Sequence, residues 1–460
     1  MDDDRVMAST AMRSISSAAL EDEIRRVGQS LASGFPAALR HPVKALDDRA
    51  MGYAAGDQAL RAALFRFVDV APACHSLDEL ARHLTSLLGD VQDQPPPVAA
   101  AVRLGSHRAG RTALGAAAVA GVRHMAHRFI VGDAVEGALG TVRELWTSGI
   151  SSSLDLLGEA TLTEAEADAY ASRSDHALES LARAAPKWPR RAVLEGDSLG
   201  PLPRANLSVK VTALTPLLRP EAPELGERDA AGRLLPLLRK ARDRGVHLHV
   251  DMESLDTREA VLDLVLELLE GSELAAGPSA GVVIQAYLRD SGEQLERVLE
   301  WAARTRRASP LVVRLVKGAY WDHEIVEARQ HGWAPPVFEA KSECDRNFEA
   351  LTRRLLEARP AVRVAIGTHN LRSIAHAIAC NRLMGGDERD LELQVLRGLG
   401  DHIAQALAAQ SLRVRAYCPV GDLVSGMAYL IRRLLENTSN ESFLARSARG
   451  ESLDALLAPP

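Results

Sequence analysis

Two adjacent arginines near the C-terminus are the strongest candidates for ligand binding in this sequence. Arg432 and Arg433 lie in an apolar pattern with helical spacing, and Glu436 follows one turn later, where it can pair with either guanidinium. A guanidinium binds carboxylates and phosphates through a rigid fork of donors. Taken alone, such a pair is more often a solvated basic patch on an amphipathic helix. The rest of the chain favours ligand binding.

Polar residues also stand at or near the ends of successive β-type segments. They are Lys210, Asp251, Gln285, Arg314, Lys317, Thr368, His369, Asn370, Gln394 and Tyr417. Buried charges are costly unless they are paired, so a purely structural role hardly explains such a series. Together with the two arginines, the series predicts a cationic pocket with one clear acid, Asp251. Such a pocket favours a carboxylate or phosphate ligand.

The elements that must position these residues begin at about residue 149, where β-type runs alternate with helical patterns. The predicted strands are 151–157, 207–214, 246–252, 281–288, 311–317, 362–367, 391–396 and 413–417, and the predicted helices are 163–184, 225–244, 257–270, 292–307, 336–358, 371–384, 401–410 and 422–437. Strands alternating with helices indicate a parallel sheet. Eight units predict a (β/α)₈ TIM barrel with its active site at the carboxyl ends of the strands. An open doubly wound sheet is the alternative, but no GxGxxG turn occurs in the sequence.

The predicted domain organisation places this barrel after a helical region. We expect an N-terminal arm at 1–45, a helical domain at 46–148, the barrel at 149–446 and a C-terminal tail at 447–460. The fold class is therefore α/β, a TIM barrel preceded by a helical arm and domain.

Composition excludes several classes of protein. A net charge of −6 and an aromatic content of 4% argue against nucleic acid as the partner. The four cysteines form no CxxC pair, which is typical of a reduced cytoplasmic protein with free thiols. No apolar run is long enough to cross a bilayer, so any membrane contact is expected to be peripheral.

Three alternatives to a cationic catalytic pocket stay open at this point. Alternation puts His247, His249 and two acids on one strand face, as in some metal-dependent hydrolases. The cations nearby would repel a metal, so we expect no metal site and a core or supporting role for His249. Lys210 could instead be the Schiff-base lysine of an aldolase-type barrel, which leaves the arginines unexplained. A barrel that only binds carboxylate metabolites is the non-catalytic alternative.

Several runs in this chain resemble proline dehydrogenase, in the form found in bifunctional bacterial proline-utilisation flavoenzymes. They are Asp155 to Ala160, Leu207 to Lys210, Val283 to Tyr287, Arg314 to Asp322, Gly367 to Asn370 and Tyr429 to Asn437. The resemblance extends over roughly residues 45–446 in order. It implies a distorted (β/α)₈ barrel with non-covalent FAD. By this resemblance, the protein oxidises L-proline to Δ1-pyrroline-5-carboxylate, the first step of proline catabolism, and passes electrons to a membrane quinone.

The resemblance also implies roles for individual residues. The catalytic and substrate-binding positions are Lys210, Asp251, Leu315, Leu396, Tyr417, Arg432 and Arg433, with Glu436 holding an arginine in place. The flavin contacts are Gln285, Arg314, Val316, Lys317, Gly318, Ala319, Trp321, Thr368, His369, Asn370 and Gln394. Arg432, Arg433 and Lys210 would form the clamp for the proline carboxylate.

The sequence departs from the family pattern at a few positions. Glu339 and Cys344 stand where the family usually has threonine, and the acidic stretch after Asp251 is one acid shorter. No DNA-binding segment is expected before residue 45 and no aldehyde dehydrogenase domain after the barrel. We therefore expect either a stand-alone enzyme or a piece of a longer fusion, with an aldehyde dehydrogenase domain or partner consuming the product.

Overall fold

The structure of the protein is a computed structural model that describes residues 16–35, 58–92, 94–158, 161–422, 426, 429 and 450–460. Its helices are α1 Ser17–Ser33, α2 Gln58–Val70, α3 Leu77–Gly89, α4 Pro96–Ser106, α5 Arg108–Phe129, α6 Val135–Thr147, α7 Glu164–Ala184, α8 Ala192–Glu195, α9 Pro223–Arg244, α10 Leu255–Glu270, α11 Ser291–Thr305, α12 Trp321–His331, α13 Lys341–Glu357, α14 Leu371–Leu383, α15 Asp401–Ala409 and α16 Leu453–Leu456. Its strands are β1 Ile150–Leu156, β2 Gly196–Asp197, β3 Gly200–Pro201, β4 Asn206–Lys210, β5 His247–Asp251, β6 Ala280–Gln285, β7 Leu311–Val316, β8 Val362–Gly367, β9 Leu391–Leu396 and β10 Val414–Val420.

Eight parallel strands close into a barrel within the described part of the chain, in the order β1-β10-β9-β8-β7-β6-β5-β4. Strands β6 and β7 are largely apolar and buried along most of their length. This is expected for parallel barrel strands, because one face packs against the side chains of the barrel interior and the other against the surrounding helices. The predicted TIM barrel is confirmed. The two short strands β2 and β3 form a separate hairpin before β4.

Local sequence signals account for where the helices around the barrel begin and end. Thr163 and Glu166 form a capping box at the start of α7. Gly245, at φ +65, ends α9 directly before β5. The predicted helix over 336–358 is confirmed as α13, which begins five residues later than predicted, at Lys341. A further helix between β7 and α13, α12, was not predicted.

The helices before the barrel bury two separate surfaces. Leu60, Phe67 and Leu84, on α2 and α3, contribute to a small core of their own. Helix α1 instead packs its buried face, which includes Ile24, with the main core of the barrel. Leu457, from the C-terminal segment, lies in that same core. The predicted boundaries at 45, 148 and 446 stay a prediction.

The amino-terminal end of the barrel contains a buried ion network. Glu392 accepts two hydrogen bonds from Arg415, at 2.7 and 2.9 Å, and its pKa lies well below its ordinary value because the nearby arginines outweigh the effect of burial. Asp197 binds both Arg363 and Arg413 in the same region. These charges are paired, so removal of one partner would leave an uncompensated buried charge at this end of the barrel.

None of the helices in the described residues is both long enough and apolar enough to cross a membrane.

Candidate active site

Asp251, at the carboxyl end of β5, is the centre of a buried group formed by three strands. Its Oδ1 accepts a hydrogen bond from Arg314 of β7 at 2.6 Å, and its Oδ2 accepts one from the Tyr417 hydroxyl of β10 at 2.6 Å. The Arg314 guanidinium also lies 5.5 Å from the centre of the Tyr417 ring. Burial, with the nearby Asp155 and Asp251 carboxylates, raises the pKa of Tyr417 well above its ordinary value. Tyr417 is therefore a neutral hydrogen-bond donor.

Lys210, at the end of β4, is held at both its backbone and its ammonium. Its backbone N–H donates to the Tyr170 hydroxyl at 3.2 Å, and its ammonium donates to Asp155 of β1. Burial alone would lower the pKa of Lys210, but the Asp155 carboxylate and its neighbours raise it above the ordinary value. Lys210 is thus a protonated cation with a permanent counter-ion.

A second acid, Glu253, lies beside this pair. Its carboxylate accepts a hydrogen bond from the Thr212 hydroxyl, and burial raises the pKa of Glu253. The backbone carbonyl of Glu253 accepts a bond from Gln285 Nε2 at 3.1 Å. Gln285 is 2% exposed, and its Oε1 has no partner among the described residues.

The segment after β7 places a lysine and a tight turn next to each other. Lys317 donates to Asp345 of α13. Gly318 has φ +128, and a Cβ built there would lie 2.3 Å from the Tyr287 ring. Only glycine fits this close backbone approach without strain.

The segment after β8 joins that strand to β9 and to the next helix. Thr368 N–H donates to the Gln394 carbonyl at 3.1 Å, and His369 Nε2 accepts from the Leu396 N–H at 2.8 Å. The Asn370 side chain accepts from Ser373 N–H and caps α14. The Gln394 side chain donates to Glu392 at 2.6 Å, so it belongs in part to the ion network.

The other predicted substrate and flavin positions differ in whether they face the buried group around Asp251. Leu396 is opposite Tyr417 in the strand register. Leu315 is fully buried and follows Arg314, whose side chain faces the barrel interior. Because side chains alternate along a strand, the Leu315 side chain points to the helix-facing side. The structure therefore does not bring Leu315 to the centre, and its substrate contact stays a prediction. Trp321 is 39% exposed and donates to the Phe338 carbonyl.

Five further predicted positions either have no described polar contact or lie outside the described residues. Val316 is partly buried, Ala319 is exposed, and both follow Arg314 at the mouth of the barrel. The two arginines of the predicted clamp and their partner, Arg432, Arg433 and Glu436, lie outside the described residues.

The charge balance differs from the sequence prediction of a cationic pocket with a single acid. Among the described residues, Lys210 is paired with Asp155, and Arg314 is paired with Asp251. Sequence reasoning overlooked Asp155 as an individual site residue, although it stands near the end of the first strand and the strand-end rule would have found it. An anionic ligand at this centre would need additional cations, which is the role predicted for Arg432 and Arg433.

The described residues fit a flavin cofactor. Gln285 offers a buried carbonyl oxygen without a partner, which suits a donor such as a flavin ring N–H. The Gly318 backbone leaves space that a side chain would fill, which suits a group lying against the chain. Arg314 and Lys317 supply positive charge on the same strand end.

The family is decided by comparison with known proteins. The model of the family described as proline dehydrogenase matches residues 138–446, well over half of the chain. The chain belongs to the proline dehydrogenase family. A second family model, the proline utilization A N-terminal domain, matches residues 21–129.

Individual relatives in this family agree with that placement. The bifunctional protein PutA of Salmonella typhimurium is 33% identical over 350 residues, covering 74% of this chain and 25% of the relative. Proline dehydrogenase 1 of Bacillus subtilis (strain 168) is 26% identical over 326 residues, covering 71% of this chain and 91% of the relative. A crystal structure of proline utilization A from Bdellovibrio bacteriovorus is similar with a TM-score of 0.86 and 34% identity, covering 96% of this chain and 44% of that one.

The chain thus spans about a quarter of the length of the PutA relatives that it matches.

Proposed function

We propose that this chain is an FAD-dependent proline dehydrogenase, which oxidises L-proline to Δ1-pyrroline-5-carboxylate and passes the electrons to a quinone. The observation that carries the proposal is the buried group of Lys210, Asp155, Asp251, Arg314 and Tyr417 at the carboxyl mouth of a barrel of this family. When bound, FAD would supply the chemistry by accepting a hydride from the substrate carbon next to nitrogen. The protein supplies binding, orientation and electrostatics.

Lys210, Arg432 and Arg433 would bind the proline carboxylate. Lys210 is already directed and kept protonated by Asp155. The two arginines lie on the segment predicted as the helix after the last strand, where they would close over the substrate and exclude water. Glu436 would hold one of them from behind. We expect Arg433→Met to raise the proline KM strongly and to leave FAD bound.

Tyr417 and Asp251 would shape the rest of the substrate pocket. The Asp251 carboxylate fixes the Tyr417 hydroxyl and the Arg314 guanidinium at once. The ring of Tyr417 is therefore oriented for packing against an apolar substrate ring, with Leu396 beside it. The family pattern also assigns a substrate contact to Leu315, although strand alternation directs its side chain toward the helices.

Arg314 and Gln285 would hold the flavin ring. The rest of the cofactor would contact the other predicted flavin positions, which are Val316, Lys317, Gly318, Ala319, Trp321, Thr368, His369, Asn370 and Gln394. Arg314 is 5% exposed, and its position in the mouth of the barrel suits stabilisation of the negative charge that develops on reduction.

The structure argues against the Schiff-base alternative. A lysine that attacks a carbonyl must lose its proton, which requires a lowered pKa. Asp155 instead raises the pKa of Lys210 above its ordinary value. The metal alternative is also disfavoured, because both ring nitrogens of His247 contact other side chains, Ser279 and His249.

The experiment that tests the proposal is an absorbance spectrum before and after anaerobic addition of L-proline. A flavin spectrum that bleaches supports the cofactor, the substrate class and the reaction together. A flavin spectrum indifferent to proline means that the substrate is another compound. A protein that stays colourless after FAD is added and the excess is removed contradicts the proposal and favours a barrel that only binds carboxylates.

The electron acceptor needs a separate measurement. With proline in excess, reoxidation of the reduced protein by a short-chain ubiquinone should outpace reoxidation by dissolved oxygen. Because the acceptor would reside in a membrane, we propose a cytoplasmic protein with peripheral membrane contact. The product would pass to an aldehyde dehydrogenase domain or partner. Equal reoxidation rates would contradict the quinone assignment.

A further inference from the structure

Two histidines of β5 form a hydrogen-bonded pair in the barrel interior, before Asp251 on the same strand. His247 and His249 alternate with apolar residues on the face that Asp251 shares, and both are buried. His247 Nδ1 contacts the Ser279 hydroxyl at 2.8 Å, and His247 Nε2 contacts His249 Nδ1 at 3.2 Å. Three of the four ring nitrogens therefore have a partner.

The fourth ring nitrogen, His249 Nε2, has no partner among the described residues, although His249 is 0% exposed. Buried polar atoms of folded proteins are nearly always paired, with the protein or with an ordered water. Gly281 of β6 leaves room for the ring, because a Cβ built there would lie 2.3 Å from His249 Nδ1. The ring thus lies over β6, the strand between β5 and the strand that carries Arg314.

Arg314 has an unpaired nitrogen in the same part of the barrel interior. Its Nη1 donates to Asp251 at 2.6 Å and its Nη2 makes a long bond to Ser208 at 3.4 Å, but within the described part of the chain its Nε has no acceptor. Ser208 lies opposite His249 in the register of β4 and β5. Burial, together with the charge of Arg314, lowers the pKa of His249 well below its ordinary value. His249 is therefore neutral, with one N–H and one lone pair.

We propose that His249 is a positioning residue for Arg314 and acts through one buried water that contacts His249 Nε2 and Arg314 Nε. The water accepts a hydrogen bond from Arg314 Nε–H and donates one to His249 Nε2. His249 Nδ1–H then donates to His247 Nε2, and His247 Nδ1–H donates to the Ser279 hydroxyl, so all four ring nitrogens are satisfied. A buried polar site with several partners is the kind that holds an ordered water.

The consequence is a flavin reduction potential that depends on His249, an inference that rests on the proposed function. A guanidinium that is held in place stabilises the negative charge of the reduced ring. A neutral imidazole holds Arg314 without cancelling its charge, which a second carboxylate would do. Loss of the contact at His249 Nε2 should weaken binding of reduced FAD relative to oxidised FAD by about tenfold, which makes the midpoint potential about 30 mV more negative.

Two substitutions separate the roles of the two nitrogens of His249. In His249→Gln the side-chain amide reaches the position of Nε2, whereas in His249→Asn it reaches only that of Nδ1. We expect the midpoint potential of the bound flavin to fall by about 30 mV in His249→Asn and to stay within about 10 mV, a twofold change, in His249→Gln. The proline KM should be unchanged in both variants, because His249 lies outside the proposed substrate pocket, and kcat should fall in His249→Asn.

A matched control separates this effect from the loss of any buried histidine. His376 of α14 is 1% exposed and, like His249, is neutral because burial lowers its pKa to about 3. His376→Leu should leave the flavin potential unchanged, whatever it does to the melting temperature. In Gly281→Ala the added methyl displaces the His249 ring and should reproduce the potential of His249→Asn. If His249→Asn does not fold, Gly281→Ala is measured in its place.

Three results would overturn the inference. In the first, His249→Asn keeps the flavin potential of the unaltered protein. In the second, His249→Asn and His249→Gln lower the potential equally, which indicates that the ring serves only for packing. In the third, a high-resolution crystal structure of the protein shows no water between His249 Nε2 and Arg314 Nε. Failure of the unaltered protein to bind FAD would instead refute the proposed function, and the crystal structure alone would then decide whether His249 positions Arg314.

Discussion

Removal of the Lys210 ammonium gives the sharpest test of how the centre is built. In Lys210→Met the side chain keeps its length and loses its charge, which leaves Asp155 buried without its partner. The side chains of Lys210 and Asp155 are 12% and 2% exposed, so solvent screens this pair only weakly. Breaking a buried ion pair costs about 3–5 kcal/mol of unfolding free energy.

The double-variant cycle distinguishes the pair from its separate members. Asp155→Leu should cost a similar amount, because it leaves the lysine charge unpaired. Asp155→Leu combined with Lys210→Met removes both charges, so we expect a cost below that of either single change. The free energies come from urea unfolding followed by near- and far-ultraviolet circular dichroism, and coincidence of the two curves is required for the arithmetic.

Lys210→Met should also weaken proline binding, because the ammonium is one member of the proposed carboxylate clamp. Loss of a buried charge contact is worth about 2–5 kcal/mol. At 1.4 kcal/mol per decade, the proline KM should rise from about thirtyfold to a few thousandfold, with the flavin spectrum retained. Lys240→Met, in an exposed pair with Asp175, is the control and should cost no more than about 1 kcal/mol.

Two outcomes would refute this reasoning at different steps. If both single variants cost less than about 1 kcal/mol, the pair does not behave as a buried one. If Lys210→Met destabilises the protein as expected but leaves the proline KM within twofold, Lys210 is structural, and the clamp consists of the arginines alone.

Three other perturbations follow from the contacts. Glu392→Gln should lower the free energy of unfolding by about 3–5 kcal/mol at pH 7, because Arg415 is left without its anionic partner. Since the pKa of Glu392 is lowered in the folded protein, its contribution is complete above about pH 4.3 and is lost as pH falls through the lowered pKa. The stabilities of the variant and the unaltered protein should therefore converge in acid unfolding curves. Gly318→Ala should cost at least about 1–3 kcal/mol by thermal unfolding and weaken FAD retention, because the added methyl meets Tyr287. Arg372→Met should lower the melting temperature, because it leaves two acids, one of them Glu349, without their shared cation.

The fold was predictable from the sequence because its signals are local and repeated. Parallel strands of a barrel are continuous apolar runs, and each is followed by an amphipathic helix. The predicted strands 362–367 and 391–396 have the same first and last residues as the observed strands Val362–Gly367 and Leu391–Leu396. Helix α12 was missed since Trp321–His331 has exposed apolar residues and no clear stripe. Its buried residue Ile325 packs with Leu288 and Val337 in a small separate cluster, and no local pattern reports such a contact.

The candidate site was predictable in position but not in charge balance. The rule that strand ends face the site identified Lys210, Asp251, Arg314 and Tyr417, and the structure brings them together. Alternation shows which face a residue lies on and says nothing about which partner on a distant strand meets it. The pairing of Lys210 with Asp155 joins residues 55 positions apart.

Burial of charge is by itself a weak indicator of function in this barrel. The amino-terminal end holds Glu392 and Arg415 as deeply as the opposite end holds Asp251 and Arg314, yet only the latter lies where TIM barrels bind substrates. What distinguishes a binding group is incomplete compensation. Within the part of the chain that the structure describes, the Glu392 carboxylate is fully paired with arginines, whereas the Gln285 side-chain oxygen has no partner and the lysines at Asp345 exceed it by one charge. Groups that still lack a partner in the folded chain are the ones that a ligand can complete.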